Sequence, residues 1–184
     1  MTTPTIETAR LRLRPLSFAD ADEVRRLADD PRVSGPTARI PQPFELSDAI
    51  EWIDGRVRSL DRLAWAIELR ENGALTGAVG LVVDQEAHAA LDYWIGAEHW
   101  GRGIATEAAR AALHHGFITL GLEEIVALHL AHNGASGRVL AKCGMRHLGP
   151  SVDLVRGELA AVERYAISRS EYLARVDRID DLGT

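Results

Sequence analysis

Cysteine and lysine are almost missing from this chain. Cys143 stands alone, so an internal disulfide and a cysteine-built metal site are both excluded, and its place before Gly144 marks it as a structural thiol at a helix end. Lys142 is the sole lysine among arginines, a compositional bias that says nothing about partners. Basic residues are in deficit, 21 against 27 acidic, and the net charge of -6 works against non-specific binding of nucleic acid or an anionic membrane. Any anion must then be held by local groups. Long apolar runs are absent and Met1 to Arg14 contains no hydrophobic signal core, so neither membrane insertion nor secretion is expected and the expected location is cytoplasmic. The Gly-Lys-Ser/Thr of a P-loop is absent, Thr106 occupies the place of the third glycine in the dinucleotide fingerprint, and the histidines lack a spacing such as H-E-x-x-H. Neither of those nucleotide folds, nor a metal, is expected.

What is present fits one domain over residues 1–184, because 184 residues that are 46% hydrophobic can bury a substantial interior. The most informative stretch runs from Leu91 to Ala108, where a strand breaks into Gly101-Arg102-Gly103 and passes straight into an alanine-rich helix. Gly101 and Gly103 carry no Cβ, so the backbone can turn sharply and approach a ligand, and the amides from Gly103 to Thr106 fall among the unpaired donors of a helix start. That combination suits a pyrophosphate. Glycine at a strand-to-helix turn also arises for backbone reasons alone.

Alternation at Leu11 to Arg14 predicts a strand ended by Pro15, with Ser17 as cap for a helix through Val24 and Leu27. Pro31, Gly35, Pro36, Pro41 and Pro43 predict a loop from Asp30 to Phe44, of the kind that shapes binding sites, followed by a helix from about Ser47 through Ile53. Leu63 to Leu69 and Leu75 to Val83 flank Asn72-Gly73 and predict a hairpin, and a third strand from about Ala89 to Ile95 leads to the glycines. The next helix gathers Ala105, Ala109, Ala112, Leu113, Gly116 and Leu120 on one face, which implies close packing on a sheet, and Gly121 ends it. Ile125 to Leu130 reads as a strand and Ser136 to Cys143 as a helix. Val152 to Leu154 and Leu159 to Ile167 read as a hairpin turning at Arg156-Gly157-Glu158. Ser170 to Val176 reads as a last helix, with Asp177 to Thr184 fraying. Helices between strands early and late, with consecutive hairpins between them, favour an α+β fold on a mixed sheet.

A second diagnostic stretch, Asn133-Gly134-Ala135-Ser136-Gly137-Arg138-Val139-Leu140-Ala141-Lys142-Cys143-Gly144-Met145, lies downstream. Together with Trp100 to Ala108 and the opening Thr8-Ala9-Arg10-Leu11-Arg12-Leu13-Arg14-Pro15, it resembles the GCN5-related N-acetyltransferases (GNAT) and, within them, the RimJ/RimL-like branch that acetylates ribosomal-protein N-termini. The resemblance spans about residues 8–172 and is weakest from 30 to 44. It implies α/β/α layers around a twisted sheet of about seven strands, with helices on both faces and the fourth and fifth strands splayed to admit the pantetheine arm of acetyl-CoA. On that mapping the backbone of Trp94 and Ile95 pairs with pantetheine, and Trp100, Gly101, Arg102, Gly103, Ile104, Ala105 and Thr106 hold the pyrophosphate, Arg102 adding charge at the rim. Asn133 matches the family's asparagine beside the co-substrate, and it also reads as a helix N-cap; the roles are compatible.

The reaction implied is direct attack of a primary amine, on a protein N-terminus or a small molecule, upon the thioester. Cys143 is then no nucleophile, and a homodimer is expected from the resemblance and from exposed strands that could pair. Many family members place a tyrosine seven residues after the asparagine as donor to the departing sulfur. Leu140 stands there and cannot donate. Ser136, three residues after Asn133, is the expected donor, with an early-helix serine satisfying backbone amides as the plainer reading. For the base, Asp92 is nominated beside Asp153 and Glu98, and His99, His129 and His132 could titrate usefully. Leu140 also keeps open a non-catalytic acyl-CoA sensor, and an acyl donor such as succinyl-CoA fits equally.

Overall fold

The protein is described by a computed structural model over residues 2–37 and 40–180. Its strands are β1 (Ile6–Glu7), β2 (Leu11–Pro15), β3 (Arg62–Leu69), β4 (Leu75–Val83), β5 (His88–Ile95), β6 (Glu124–Leu130), β7 (Arg146–Val155) and β8 (Glu158–Ser168). Its helices are α1 (Ala21–Ala28), α2 (Pro31–Ser34), α3 (Leu46–Val57), α4 (Ile104–His114), α5 (Gly134–Lys142) and α6 (Arg169–Asp180). The strands form one 8-stranded sheet in the order β1-β2-β3-β4-β5-β6-β8-β7. Seven or so were expected; the two-residue β1 adds an edge.

Neighbouring strands are antiparallel everywhere except between β5 and β6. That parallel pair is joined only at His88↔Glu124, Ala89↔Ile125 and Ala90↔Val126, whereas β5 continues to Ile95 and β6 to Leu130. Their later ends part. This is the expected splay, and it lies between the fifth and sixth strands because β1 shifts the count.

Each face of the sheet carries helices. On one, Ala108, Ala109, Ala112 and Leu113 of α4 and Leu140 of α5 are buried over Leu81, Leu91 and Ile125. Alanine keeps α4 close to the sheet. On the other, Val24 and Leu27 of α1 and Ala49 and Ile53 of α3 close over Ala64, Ala66, Ala78 and Trp94. Among the described residues no helix is long and apolar enough to cross a membrane.

Several boundaries differ from expectation. Ser17 precedes a short 3-10 turn, Phe18–Asp20, before α1, and the Asp20 carboxylate accepts from the Ser17 amide at 2.9 Å. The expected loop from 30 to 44 contains α2, because Pro31 at its first turn suits a helix start and the Asp30 side chain accepts from the Arg32 amide; residues 38 and 39 of that loop lie outside the described residues. After α4 the chain widens into a π turn, His115–Thr119, before Gly121 ends it at φ +69. The β7–β8 hairpin is longer than the alternation suggests, because ladder pairing continues through polar residues. α6 extends to Asp180, since nothing from 177 to 180 breaks a helix; the fraying expected at 181–184 lies outside the described residues.

Candidate active site

The gap between β5 and β6 opens into two adjoining hollows. One is a groove lined by Trp94, Ile95, Trp100, Gly101, Gly103 and, from the first turn of α4, Ile104, Ala105 and Thr106. The other is a cavity on the α3 side, lined by Trp52, Arg56, Asp92, Leu128 and His129. Tyr93, Trp94, Asn133 and Ser136 line both, as do Pro36 and Thr37. Two molecules lying one in each hollow would meet at that shared wall.

The groove's floor follows from its glycines. Gly101 and Gly103 have φ of +74 and +77, left-handed values that side-chain-bearing residues rarely adopt, and Gly103 is the N-cap of α4. The amides of 104 to 106 precede the first hydrogen bond of the helix, Glu107 N to the Gly103 carbonyl at 3.1 Å, so they face outward unpaired along the helix axis. The loop is braced from the N-terminal segment. Glu107 accepts from the Thr8 hydroxyl at 2.7 Å and the Arg10 amide at 2.9 Å, while Arg10 Nη1 donates to the Arg102 carbonyl at 2.8 Å. Burial acts to raise the Glu107 carboxyl, but these donors outweigh it and hold the group below the usual carboxylate range. The Arg102 side chain is turned away: it does not line the groove and pairs with Glu71 at 3.5 Å. Arg138 and Lys142 of α5 line the groove, and neither is among the expected pyrophosphate ligands.

Ile95 is held differently from expectation, its carbonyl accepting from the Trp100 indole at 2.7 Å. Asn133 caps α5, accepting from the Ser136 amide at 3.2 Å, and its Nδ2 donates to the Pro36 carbonyl at 3.2 Å. It thus ties the 30–44 segment to the shared wall. Ser136 stands 2.8 Å, hydroxyl to hydroxyl, from Tyr93, whose phenol also reaches the Ser136 carbonyl at 3.2 Å. Burial pushes the Tyr93 phenol well above the ordinary tyrosine value, outweighing the Ser136 hydrogen bond, so it keeps its proton. Leu140, which cannot donate a proton, is buried in the core.

In the cavity, Asp92 lies opposite Gly80, whose missing Cβ leaves room for the carboxylate. One Asp92 oxygen takes Arg62 at 2.9 Å and Arg56 at 3.6 Å. His129 is 6% exposed; its Nδ1 faces the Leu130 carbonyl at 2.8 Å and must carry the proton there, leaving Nε2 with a free lone pair and no partner among the described residues. The other nominated carboxylates are not brought in. Glu98 pairs with Arg26 at 2.8 Å, which holds it below the usual range, and Asp153 accepts from the Leu154 amide on β7; neither lines the cavity. Cys143 is buried, and that burial pushes its thiol up to about 11, which leaves it un-ionised and poorly nucleophilic. Among the described residues one possible cation-ligating trio, Asp84, Glu86 and His88, lies at the opposite end of β5 from the groove, where Asp84 accepts the turn's own amides.

The sequence pattern described as the acetyltransferase (GNAT) domain matches residues 10–146. An uncharacterized N-acetyltransferase of Bacillus subtilis, YoaA, is 30% identical over 79% of this chain and 85% of its own. A GNAT-family acetyltransferase structure from Bacillus anthracis superposes with a TM-score of 0.80 at 24% identity, covering 91% of this chain and 99% of that one. Spermidine N-acetyltransferase from Vibrio cholerae, solved with CoA and spermine, gives a TM-score of 0.76 at 23% identity over 90% of this chain and 99% of its own.

Proposed function

The chain belongs to the acetyltransferase (GNAT) family, and from that premise we propose that it transfers an acetyl group from acetyl-CoA directly to a primary amine. The observation that carries this reading is the shared wall, where Tyr93, Trp94, Asn133 and Ser136 face a phosphate-suited groove on one side and a second cavity on the other. The groove fits an acyl-CoA: outward amides at 104 to 106 and the cations Arg138 and Lys142 suit its phosphates, and the edge of β5 left unpaired beyond Ala90 suits its pantetheine amides. The acetyl thioester then arrives at the wall.

The amine attacks the thioester carbonyl, its nitrogen forming a bond to carbon as the carbon–sulfur bond breaks. The departing thiolate takes a proton from the Ser136–Tyr93 pair, whose hydroxyls lie 2.8 Å apart, and the proton shed by the amine returns to that pair through solvent. The amine must shed a proton, and Asp92 is the nominated acceptor in the cavity wall. His129 Nε2 is packed beside Gly137 and Tyr165 and does not reach the cavity. Thiol release from acetyl-CoA across peptides and small amines tests the reaction, and no release above hydrolysis with any amine contradicts it.

Ser136 three residues after Asn133 also supports the RimJ/RimL-like reading and peptide N-termini as acceptors. A non-catalytic acyl-CoA sensor draws support from Leu140 alone, and the Tyr93–Ser136 pair restores the donor that Leu140 lacks. A longer donor such as succinyl-CoA is separated from acetyl-CoA by the same assay. A cytoplasmic dimer is part of this reading. β7 is an edge strand, and Leu148, Val152, Leu154 and Leu159 on its hairpin are exposed, so a second copy pairing there would cover them. Light scattering that finds only monomer at micromolar concentration rules the dimer out.

A further inference from the structure

The cavity facing the reacting wall is built to meet an anion. Asp92 is the carboxylate that lines it among the described residues, and it is shared by Arg62 at 2.9 Å and Arg56 at 3.6 Å. The side chains of Arg56 and Arg62 are only 14% and 11% exposed, and both guanidinium groups face the one Asp92 carboxylate, which is 36% exposed. Arg56 is also held in place. Its guanidinium lies 3.7 Å over the Trp52 ring and donates to the Trp52 carbonyl at 3.2 Å, while Trp52 packs edge-on to Trp94 at 6.0 Å. A second donor stands in the same wall: the Trp94 indole N–H is buried and has no hydrogen-bond partner among the described residues. A buried donor left unmatched is costly, and a bound acceptor atom removes that cost.

We infer that the amine acceptor also carries a negatively charged group, a carboxylate or a phosphate, bound on the Arg56 and Trp94 side of the cavity while its amine faces Ser136. The inference rests on reading this cavity as the amine site. A polyamine meets the opposite situation. Its extra ammonium groups would enter beside Arg56, and the Asp92 oxygen that could attract them is already shared by Arg56 and Arg62. A carboxylate or phosphate instead pairs with a pre-set planar guanidinium, a charge-assisted bond stronger than one between neutral groups. Trp52, Trp94 and Leu128 leave room for an apolar body between the charged ends.

Calorimetry on the full-length protein saturated with CoA tests this with matched pairs: phenylalanine against phenethylamine, and phosphoethanolamine against ethanolamine, with spermidine as the polycation. At least one anion-bearing member should bind about tenfold more tightly than its anion-free counterpart and than spermidine, the scale expected of one charge-assisted contact. The pair that shows the gap identifies the anion. Arg56→Gln should erase most of the gap, and Arg56→Lys should restore part of it by returning the charge without the fork. Equal or tighter binding of the anion-free amines or spermidine overturns the inference, as does failure of every compound to bind, or a loss in Arg56→Gln that is the same for both members of a pair. Thiol release measured on the same samples separates this from the acetyl-transfer reading. A binding gap without release contradicts transfer alone, and release without a gap contradicts the anion alone.

Discussion

The Tyr93 hydroxyl lies 2.8 Å from the Ser136 hydroxyl, joining the open edge of β5 to the first turn of α5. If this pair supplies the proton to the departing thiolate, Ser136→Ala lowers kcat by about tenfold or more with little change in acetyl-CoA affinity, because the contact strengthens only as charge develops on sulfur. Tyr93→Phe should cost a similar factor, and the double variant should lose far less than the product of the two, since both act through one hydrogen-bonded unit. Steady-state kinetics on the three variants check this. Burial raises the Tyr93 phenol above its ordinary value of about 10, so the donor stays protonated and the rate should not fall between pH 7 and about 9 for want of it. Full activity in both single variants contradicts the role.

Gly103→Val should remove the thermal shift given by acetyl-CoA. Valine at φ +77 is strained by about 1–3 kcal/mol, and relieving that strain turns the amides of 104 to 106 off the groove. A folded variant that keeps the full shift, measured by differential scanning fluorimetry, contradicts the cradle.

Glu107 links pH to stability. Its carboxyl is held low by Thr8 and Arg10 against the effect of burial, so it stabilises the fold above the ordinary carboxylate range, and that contribution is lost as pH falls through the lower folded value. Glu107→Gln should lower Tm by roughly 2–6 °C at pH 7, the scale of about 1–2 kcal/mol in a domain of this size. The gap from wild type should close below pH 4. A gap that is constant with pH contradicts the assignment.

Asp92→Asn and His129→Gln divide the proton-acceptor role. Loss of the acceptor should depress the rate and shift the acid limb of the pH profile while acetyl-CoA binding holds. Asp92→Asn is expected to do so, and His129→Gln, whose Nε2 is packed beside Gly137 and Tyr165, to leave the acid limb in place. The reverse pattern moves the role to His129.

Much of this site was legible in the chain because its parts are local. A strand, two glycines and a helix in succession leave few backbone paths, and Asn133 and Ser136 lie within one helix turn of each other. Tyr93 was not legible. Which face of β5 meets α5 depends on the whole sheet, and its partner is 43 positions away. The Arg56–Trp52 stack and the arginines on Asp92 likewise join α3 and β3 to β5, contacts that spacing does not reveal. The partner of Arg102 is equally hidden from its neighbours in sequence, since Glu71 belongs to the β3–β4 turn. In the proline-rich 30–44 segment, α2 escaped notice because a single turn leaves no periodicity to read.

The most direct measurement is mass spectrometry of both protein and amine after a single turnover with acetyl-CoA. Direct transfer at the Tyr93–Ser136 wall predicts an amine that has gained one acetyl group, one free CoA thiol for each amine acetylated, and a protein of unchanged mass at every time point. An acetylated protein that forms first and then passes its acetyl group to the amine would contradict it.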